Sequence, residues 1–570
     1  MTGTESTTPE RPTPAWCSAV VVGSAVLGLA LIADQAGRMS ATYDEVAYLR
    51  VAARWWRTGD QAEMTRLGSP LTFFKVQQAP TLWVLDRLGY GGWVDDPIEH
   101  QAELLPVVRL GACWTWPVAL ALVATWARRL YGPRAMAMAA SLFALSPNLL
   151  AHGTLATMEL PLVAASTGVY LAFWSFLRSG SRRAFFAAAI LGGLAFSCKF
   201  TTVLIPPILA ALWSVELWTR RDRSAGVGRN VARVARVVAP GMVAFGLVMV
   251  LTDLVLTGFA TLPLSGRGGD HPLLAGKIPP RFAPWAGRVL EASYPADWVG
   301  FATQVVHQAG GGASYLLGER RTTGWWHYYL VCLAVKVPLG FWLLVLARGW
   351  ARRGDRDWAL PAIVSLFLLA AIVGSRRNYG VRYLLPIAAP AIVWVSGLAE
   401  RGRWSKGLAV LGLAGMAVAV AAIHPRELTY FNALAGGPMG GRRILSDSNL
   451  DWGQGARGLA RLQRDRPEFA DLTLFYFGDT DPAWYGVVGL RYLIDANQTP
   501  ADLPPGLAVD SPYLAVSASL QWGPWGPEGY FRPLDRLRPV AFTDDTTIAI
   551  YRAADLTAAI KPAATPIGRP

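Results

Sequence analysis

The sequence predicts a mainly α-helical polytopic membrane protein with a small extracytoplasmic α/β domain at its C-terminal end. Three observations predict it. Apolar residues make up 53% of the 570-residue chain and charged ones only 16%, with a mean hydropathy of +0.30, a balance unlike that of a water-soluble enzyme with one core. Apolar windows long enough to cross roughly 30 Å of hydrocarbon recur along the chain. The tail changes character, with short β-branched and aromatic runs separated by Gly, Pro and Asp.

The windows fall near 15–36, 107–127, 133–150, 155–177, 184–197, 200–218, 235–258, 328–347, 358–374, 383–399 and 406–423, giving about 11 transmembrane helices. Residues 1–14 form a polar, Pro/Thr-rich tail. The first window is longer than a signal-peptide core and lacks a small-residue cleavage site, so it reads as an uncleaved anchor. The membrane module then covers 15–423, with loops 37–106 and 259–327 and the domain 424–570 on the far side from the N-terminus.

Charge sets the orientation. The formal net charge is +14 and the isoelectric point near 9.8, but the basic residues are scattered in short clusters rather than along a stripe that could track nucleic acid. With a cytoplasmic N-terminus all five inward connections are basic: Arg128, Arg129 and Arg134; Arg178, Arg182 and Arg183; Arg220 to Arg236; Arg348 to Arg356; and Arg401, Arg403 and Lys406. That is the positive-inside pattern. The cysteines Cys17, Cys113, Cys198 and Cys332 lie in or beside apolar windows without CxxC spacing, which suggests neither a disulfide framework nor a thiolate metal site.

Some basic residues break the pattern. Arg376, Arg377 and Arg382 fall in one outward connection and Lys199 in another. They read as contacts for an anionic ligand, with lipid headgroups the plainer alternative. Lys336 lies roughly nine residues into its window, too deep for easy snorkelling at 1.5 Å per residue, and should face protein or a cavity.

The acids of interest share that outward side. Asp44 and Glu45 open an amphipathic segment from Tyr43 to Trp56, where a helix N-terminus keeps carboxylates ionised. Alone, the pair reads equally well as a terminal charge pair without chemistry. Glu159 sits about one turn into its window, where a charge needs a reason. His152 nearby is a hydrogen-bonding partner or a ligand, and a lone His is more often structural.

Two further stretches stay open. The run Tyr315 to Tyr329, with Glu319, Arg320, Trp325, Trp326 and His327, reads equally as an interfacial aromatic belt or as an entrance for a carbohydrate or prenyl chain. Ser446 to Gly455 reads as a turn before an amphipathic helix at 455–464, with Asp451 a candidate N-cap. Strands are expected at 472–477, 513–518 and 546–551, and the Ala/Pro-rich end is expected to be disordered. No phosphate-loop, GxSxG, HExxH or dinucleotide motif stands in a convincing context.

Taken together, Tyr43-Asp44-Glu45, Ser146-Pro147-Asn148 to Glu159, Gly324-Trp325-Trp326-His327-Tyr328-Tyr329 to Lys336-Val337-Pro338, Arg382-Tyr383-Leu384-Leu385-Pro386 and Asp447-Ser448-Asn449-Leu450-Asp451-Trp452-Gly453-Gln454 resemble a family. It is the GT-C membrane glycosyltransferases, specifically the polyprenyl-phosphate-dependent group (glycosyltransferase family 39) with protein O-mannosyltransferases and aminoarabinose lipid A transferases. The resemblance spans about 40–460. It implies inverting transfer of a sugar from a polyprenyl-phosphate donor to a hydroxyl acceptor, whether protein, lipid or glycan, on the outer face of the membrane.

By the same resemblance Asp44 is the general base, and Glu45 and Glu159 shape the acceptor or metal site. Lys199, Lys336, Arg376, Arg377, Arg382 and Tyr383 meet the lipid phosphate, while Tyr43, His152, Trp325, Trp326 and His327 line the substrates. A divalent cation stays open as cofactor, with Glu99, His100, His271, His307 and His327 available. The rival readings are a lipid or sugar transporter and a non-catalytic membrane subunit; the absence of an apparent inverted repeat speaks against the transporter.

Overall fold

The computed structural model describes residues 12–65, 69–264, 283–351, 357–494 and 503–560. His271 and the Ala/Pro-rich end lie outside them. All eleven apolar windows fold as helix. Among the described residues seven helices are long and apolar enough to cross a membrane, and nine if each of two bent pairs counts as one span. The chain is a multi-pass membrane protein.

The difference from eleven equal spans has a local cause. Pro133–Ala144 and Pro147–Thr154 meet at 60°, and Tyr328–Lys336 and Leu339–Trp350 meet at 106°. Each break falls at an X-Pro step, Ser146-Pro147 and Val337-Pro338, where the residue before proline is pushed out of helical space; Val337 is extended. Arg182–Phe196 and Ala359–Gly374, with 15 and 16 residues, are the short members of the set.

Helix Glu159–Ser179 is the central post, packed against Arg182–Phe196 and Thr115–Leu130, while Ala15–Ala36 packs on Pro133–Ala144. Leu339–Trp350 and Arg403–Ile423 cross through glycines: a Cβ on Gly340 would stand 2.5 Å from the Gly412 carbonyl oxygen. Small residues here let two backbones touch, the usual basis of helix association in lipid.

After Ile423 the chain builds a five-stranded sheet in the order Leu490–Ile494, Leu472–Phe477, Tyr513–Ser517, Ile548–Arg552, Ala541–Phe542. The first three strands run parallel and the last two pair antiparallel. Strand Leu472–Phe477 is buried at every position, as expected of a central parallel strand covered on both faces. Helix Ala456–Asp465 covers one face, and Asp451 is not its cap: its carboxylate accepts from the Ser519 amide at 2.8 Å and the Gly453 amide at 3.1 Å.

This domain is fused to the membrane module rather than tethered. Val46, Leu49 and Ala53 of helix Tyr43–Thr58 share one apolar core with Leu459, Leu474 and Tyr476 of the tail. Tyr43 stacks on Phe477 with ring centroids 5.5 Å apart, and Phe477 stacks on Trp525 at 5.7 Å. The joint therefore fixes the start of the Tyr43 helix between two layers.

Candidate functional site

Helix Tyr43–Thr58 begins with a capping box: Thr42 and Glu45 satisfy each other's orphan backbone groups. Glu45 goes further than a cap. Its carboxylate is fully buried and meets Arg109 twice, Nε to Oε1 at 2.9 Å and Nη2 to Oε2 at 2.6 Å, and accepts from the Ala156 amide at 2.9 Å. Arg109 also donates to the carbonyls of Ala36, Met39 and Ser40. Burial pushes the Glu45 carboxyl up, but the Arg109 charge and these donors outweigh it and hold the group below the usual carboxylate range. Such a side chain has no face left for a reactant. It clamps the loop after the first span to the helix Gln101–Ala112.

Because Glu45 turns inward, Asp44 is turned the other way, with its side chain 23% exposed. Its Oδ2 accepts from Arg382 Nη1 at 2.7 Å and from the Tyr48 hydroxyl at 3.3 Å. Oδ1 has no hydrogen bond among the described residues. Burial first, and then the Asp44 charge, push the Tyr48 phenol well above its ordinary value, so it stays a donor.

Arg382 continues the chain of charge. The same Nη1 lies 3.5 Å from Glu159 Oε1, and Lys199 Nζ donates to that oxygen at 2.8 Å. Carboxylate, guanidinium, carboxylate and ammonium thus alternate through Asp44, Arg382, Glu159 and Lys199. The Arg382 plane lies 4.2 Å from the Trp452 ring centroid, and Lys199 sits 4.3 Å from that of Tyr383. His152 is buried edge-on to Trp452 at 6.3 Å. Its Nδ1 and Glu159 Oε2 have no hydrogen-bond partner among the described residues.

The loop that carries Arg382 is set by the tail. Gly380 has φ +105°, and a Cβ there would stand 2.6 Å from Ser448 Oγ, so only glycine admits both the turn and the close approach. Ser448 Oγ donates to the Tyr379 carbonyl at 2.5 Å, and Asn449 Oδ1 accepts from the Val381 amide at 3.0 Å. Asp447 accepts from Trp525 Nε1 at 3.1 Å, and burial raises its carboxyl above the ordinary value. The motif Asp447 to Trp452 is a splint for Arg382.

Beside the charged chain opens an apolar cavity of about 600 Å³, walled by Phe200, Phe301, Phe367, Ala371 and Val373 and headed by Lys199, Arg376, Tyr329 and Tyr383. Its shape suits a long apolar chain with an anionic head.

The structure brings together Asp44, Glu159, Lys199, Arg382, Tyr383, Tyr43 and His152, with Arg376 at the cavity. It places others elsewhere. Lys336 is buried at the helix break, donating to the carbonyls of Leu428 at 3.0 Å and Asn449 at 2.6 Å. Those bonds compensate its charge and tie it to the splint, away from the cavity wall. Arg377 Nε donates to the Gly311 carbonyl at 2.5 Å, bracing the loop. Trp325 is buried, with the guanidinium of Arg321 4.9 Å from its ring centroid, whereas Trp326 is 68% exposed beside His327. Tyr48, Arg109 and Trp525 were not singled out by the sequence, and Trp452 stood there only as a member of the Asp447–Gln454 motif. Tyr48 follows Asp44 by one helical turn, a spacing that could have found it; the others meet the site only through the fold.

Among the described residues no three His, Cys, Asp or Glu side chains converge as cation ligands. At the centre itself Arg382 and Lys199 pair with Asp44 and Glu159.

A family model described as dolichyl-phosphate-mannose-protein mannosyltransferase matches residues 104–241. Similar solved structures include ArnT from Cupriavidus metallidurans in the apo state, at 14% identity over 95% of this chain and 99% of that one, TM-score 0.48. The same protein bound to undecaprenyl phosphate matches at 14% identity over 94% and 97%, TM-score 0.45. The archaeal oligosaccharyltransferase AglB from Archaeoglobus fulgidus, in complex with an inhibitory peptide and a dolichol-phosphate, matches at 14% identity over 94% and 74%, TM-score 0.38. No curated protein matches the sequence.

Proposed function

We propose that this chain is a GT-C type glycosyltransferase that moves a hexosyl or pentosyl group from a polyprenyl-phosphate donor to a hydroxyl acceptor, with inversion. The observation that carries this reading is the convergence of Asp44, Arg382, Glu159 and Lys199 at the head of an apolar cavity of about 600 Å³. The matched family description, naming a dolichyl-phosphate sugar donor, supports the same donor chemistry.

In this reading the prenyl chain occupies the cavity and its phosphate lies against Lys199 and Arg376. The acceptor hydroxyl reaches Asp44 Oδ1, while Arg382 and Tyr48 hold Oδ2. As the acceptor oxygen bonds to the anomeric carbon, its proton passes to Asp44 and the bond from that carbon to the phosphate oxygen breaks. The bridging phosphate, singly charged in the donor, leaves as a monoester with further negative charge. Cations fixed at that point stabilise the transition state more than the bound donor, which is the condition for a catalytic gain. No step requires a nucleotide or a metal.

The basic connections between the apolar helices support a cytoplasmic N-terminus. Asp44, Lys199, Arg382 and the C-terminal domain then face the other side, where a lipid-linked sugar serves in place of a nucleotide sugar.

The test is a transfer assay on the purified protein in bilayers with a panel of radiolabelled polyprenyl-phosphate sugars, with and without chelator. The expected result is release of prenyl phosphate with formation of an inverted glycoside, insensitive to chelator. If no donor is bound or consumed, the reading falls; movement of the donor across the bilayer without transfer would replace it with the transporter.

A further inference from the structure

Away from the charged centre a second, polar cavity of about 720 Å³ opens between the hairpin Ser314–Leu316/Glu319–Arg321 and the C-terminal domain. Its charged lining is balanced: Arg320, Arg443 and Arg532 against Glu319, Glu528 and Asp535. Half-buried Trp522 supplies ring surface between them, while Tyr315 and Phe531 border the cleft as buried side chains. Arg320 is anchored by the carbonyls of Leu520 and Gly526 at 3.2 and 3.4 Å, and Glu319 is paired with Arg321 at 3.0 Å. Arg443, Glu528 and Arg532 make no side-chain hydrogen bond or ion pair among the described residues.

We infer that this cleft binds the saccharide part of a glycan acceptor. With cations and anions both in its lining, the cleft is not the all-cationic pocket that a phosphate or a polyanion needs. Forked carboxylates and guanidinium groups set beside the half-buried Trp522 offer what a polyhydroxylated ring needs: acceptors and donors for adjacent hydroxyls, and a flat apolar surface for its C–H face. The cleft walls are side chains of the hairpin, of the short helix Ala518–Gln521 and of the turn Arg532–Arg536. This assigns the acceptor class within the transferase reading and rests on it for the word acceptor; binding of the saccharide does not.

Position supports the assignment. Residues 520–532 contribute to the cleft wall and also touch the residues that brace the charged centre. Trp522 and Arg532 line the cleft, while Trp525, three residues after Trp522, bonds Asp447 and stacks on Phe477, which in turn stacks on Tyr43 next to Asp44. A glycan seated in the cleft would be held by the same loop whose Trp525 packs, through Phe477, on the neighbour of Asp44.

The test uses the full-length protein in lipid nanodiscs and saturation-transfer NMR with neutral gluco-, manno-, galacto- and arabino-oligosaccharides, beside Ser/Thr peptides and inorganic phosphate. At least one neutral oligosaccharide is expected to bind saturably, and Glu528→Gln and Trp522→Ala to weaken it tenfold or more. Glu528 is exposed, so its substitution tests the cleft without threatening the fold. Asp44→Asn is expected to leave that binding intact, which separates the cleft from the charged centre. The inference is overturned if no oligosaccharide binds, if binding ignores both cleft substitutions, or if peptide or phosphate binds there in its place. Donor turnover to water, measured on the same samples, distinguishes the readings: glycan binding without turnover of any donor would sink the transferase and leave the cleft standing.

Discussion

Arg382 Nη1 donates to Asp44 Oδ2 at 2.7 Å across 338 residues of sequence. The bond orients the carboxylate without consuming it, since Oδ1 stays open on the substrate side. Asp44→Asn removes the proton acceptor but keeps the shape and lets Arg382 retain Glu159. The expected loss in kcat is roughly a hundred- to ten-thousand-fold, the usual worth of a positioned base. Donor affinity should be nearly unchanged, because in the proposed reading the phosphate lies against Lys199 and Arg376, not against Asp44. Single-turnover rates with separate donor-binding measurements check this; an unchanged rate would remove Asp44 from the reaction.

Glu45, its neighbour, is expected to behave in the opposite manner. Glu45→Gln leaves the Arg109 guanidinium buried without its counter-charge, and breaking one side of such a pair costs about 3–5 kcal/mol. The variant should unfold at markedly lower temperature while its surviving folded fraction still turns over. The double variant Glu45→Leu with Arg109→Met should recover stability relative to either single change. Thermal unfolding followed by activity per folded molecule decides; normal stability with abolished turnover would return Glu45 to the chemistry.

The cavity makes a prediction about chain length. Gly374 lines it, and a Cβ at that position would meet nothing within 4 Å, so Gly374→Phe can project a ring into the passage without straining the helix. The KM for long prenyl donors should rise about tenfold, the scale of a few lost methylene contacts at about 0.8 kcal/mol each. A donor truncated to its first isoprene units should be nearly unaffected. Equal effects on both would mean that the prenyl chain lies elsewhere.

How far the sequence could be read depended on what each residue's environment was made of. Apolar windows and basic connections are local properties, and they yielded the helical segments. The acid Asp44 and the misplaced cations Lys199 and Arg382 stood out because a charge near lipid is expensive wherever it occurs. What separates Asp44 from Glu45 is not local. Both open the same helix, and only Arg109, reaching in from another helix, turns one into a clamp and leaves the other on the substrate side. Lys336 shows the same limit, since a deep lysine reads as a ligand until the carbonyls of Leu428 and Asn449 are found at its ammonium. The bends at Pro147 and Pro338 were also hidden, because an apolar run predicts length and not straightness.

A buried carboxyl pair outside the charged centre gives a pH dependence of defined sign. Asp297, in the first turn of helix Ala296–Gly310, and Asp253, in the long helix Val227–Thr257, are both fully buried, each with an Oδ2 that lacks a hydrogen-bond partner among the described residues, and a proton on one of them relieves the repulsion between the two. Thr72 donates to Asp297 at 3.1 Å and Ser197 to Asp253 at 2.9 Å, and the ammonium of Lys75 is the cation that faces Asp297. Burial first, and then the Asp253 charge, raise the Asp297 carboxyl well above its ordinary 3.8. The folded state therefore holds a proton that the unfolded chain releases above about pH 4. Stability from this group is complete below that pH and is lost as pH rises toward the folded value. Asp297→Asn can accept from Thr72 and donate to Asp253 at any pH, so it should match the native protein in acid and exceed it toward neutrality. Unfolding midpoints from pH 4 to 8 test this through the difference between the two proteins, which cancels the titrating groups that do not meet this pair; a difference that shrinks or stays flat with rising pH would show that the fold does not hold Asp297 protonated.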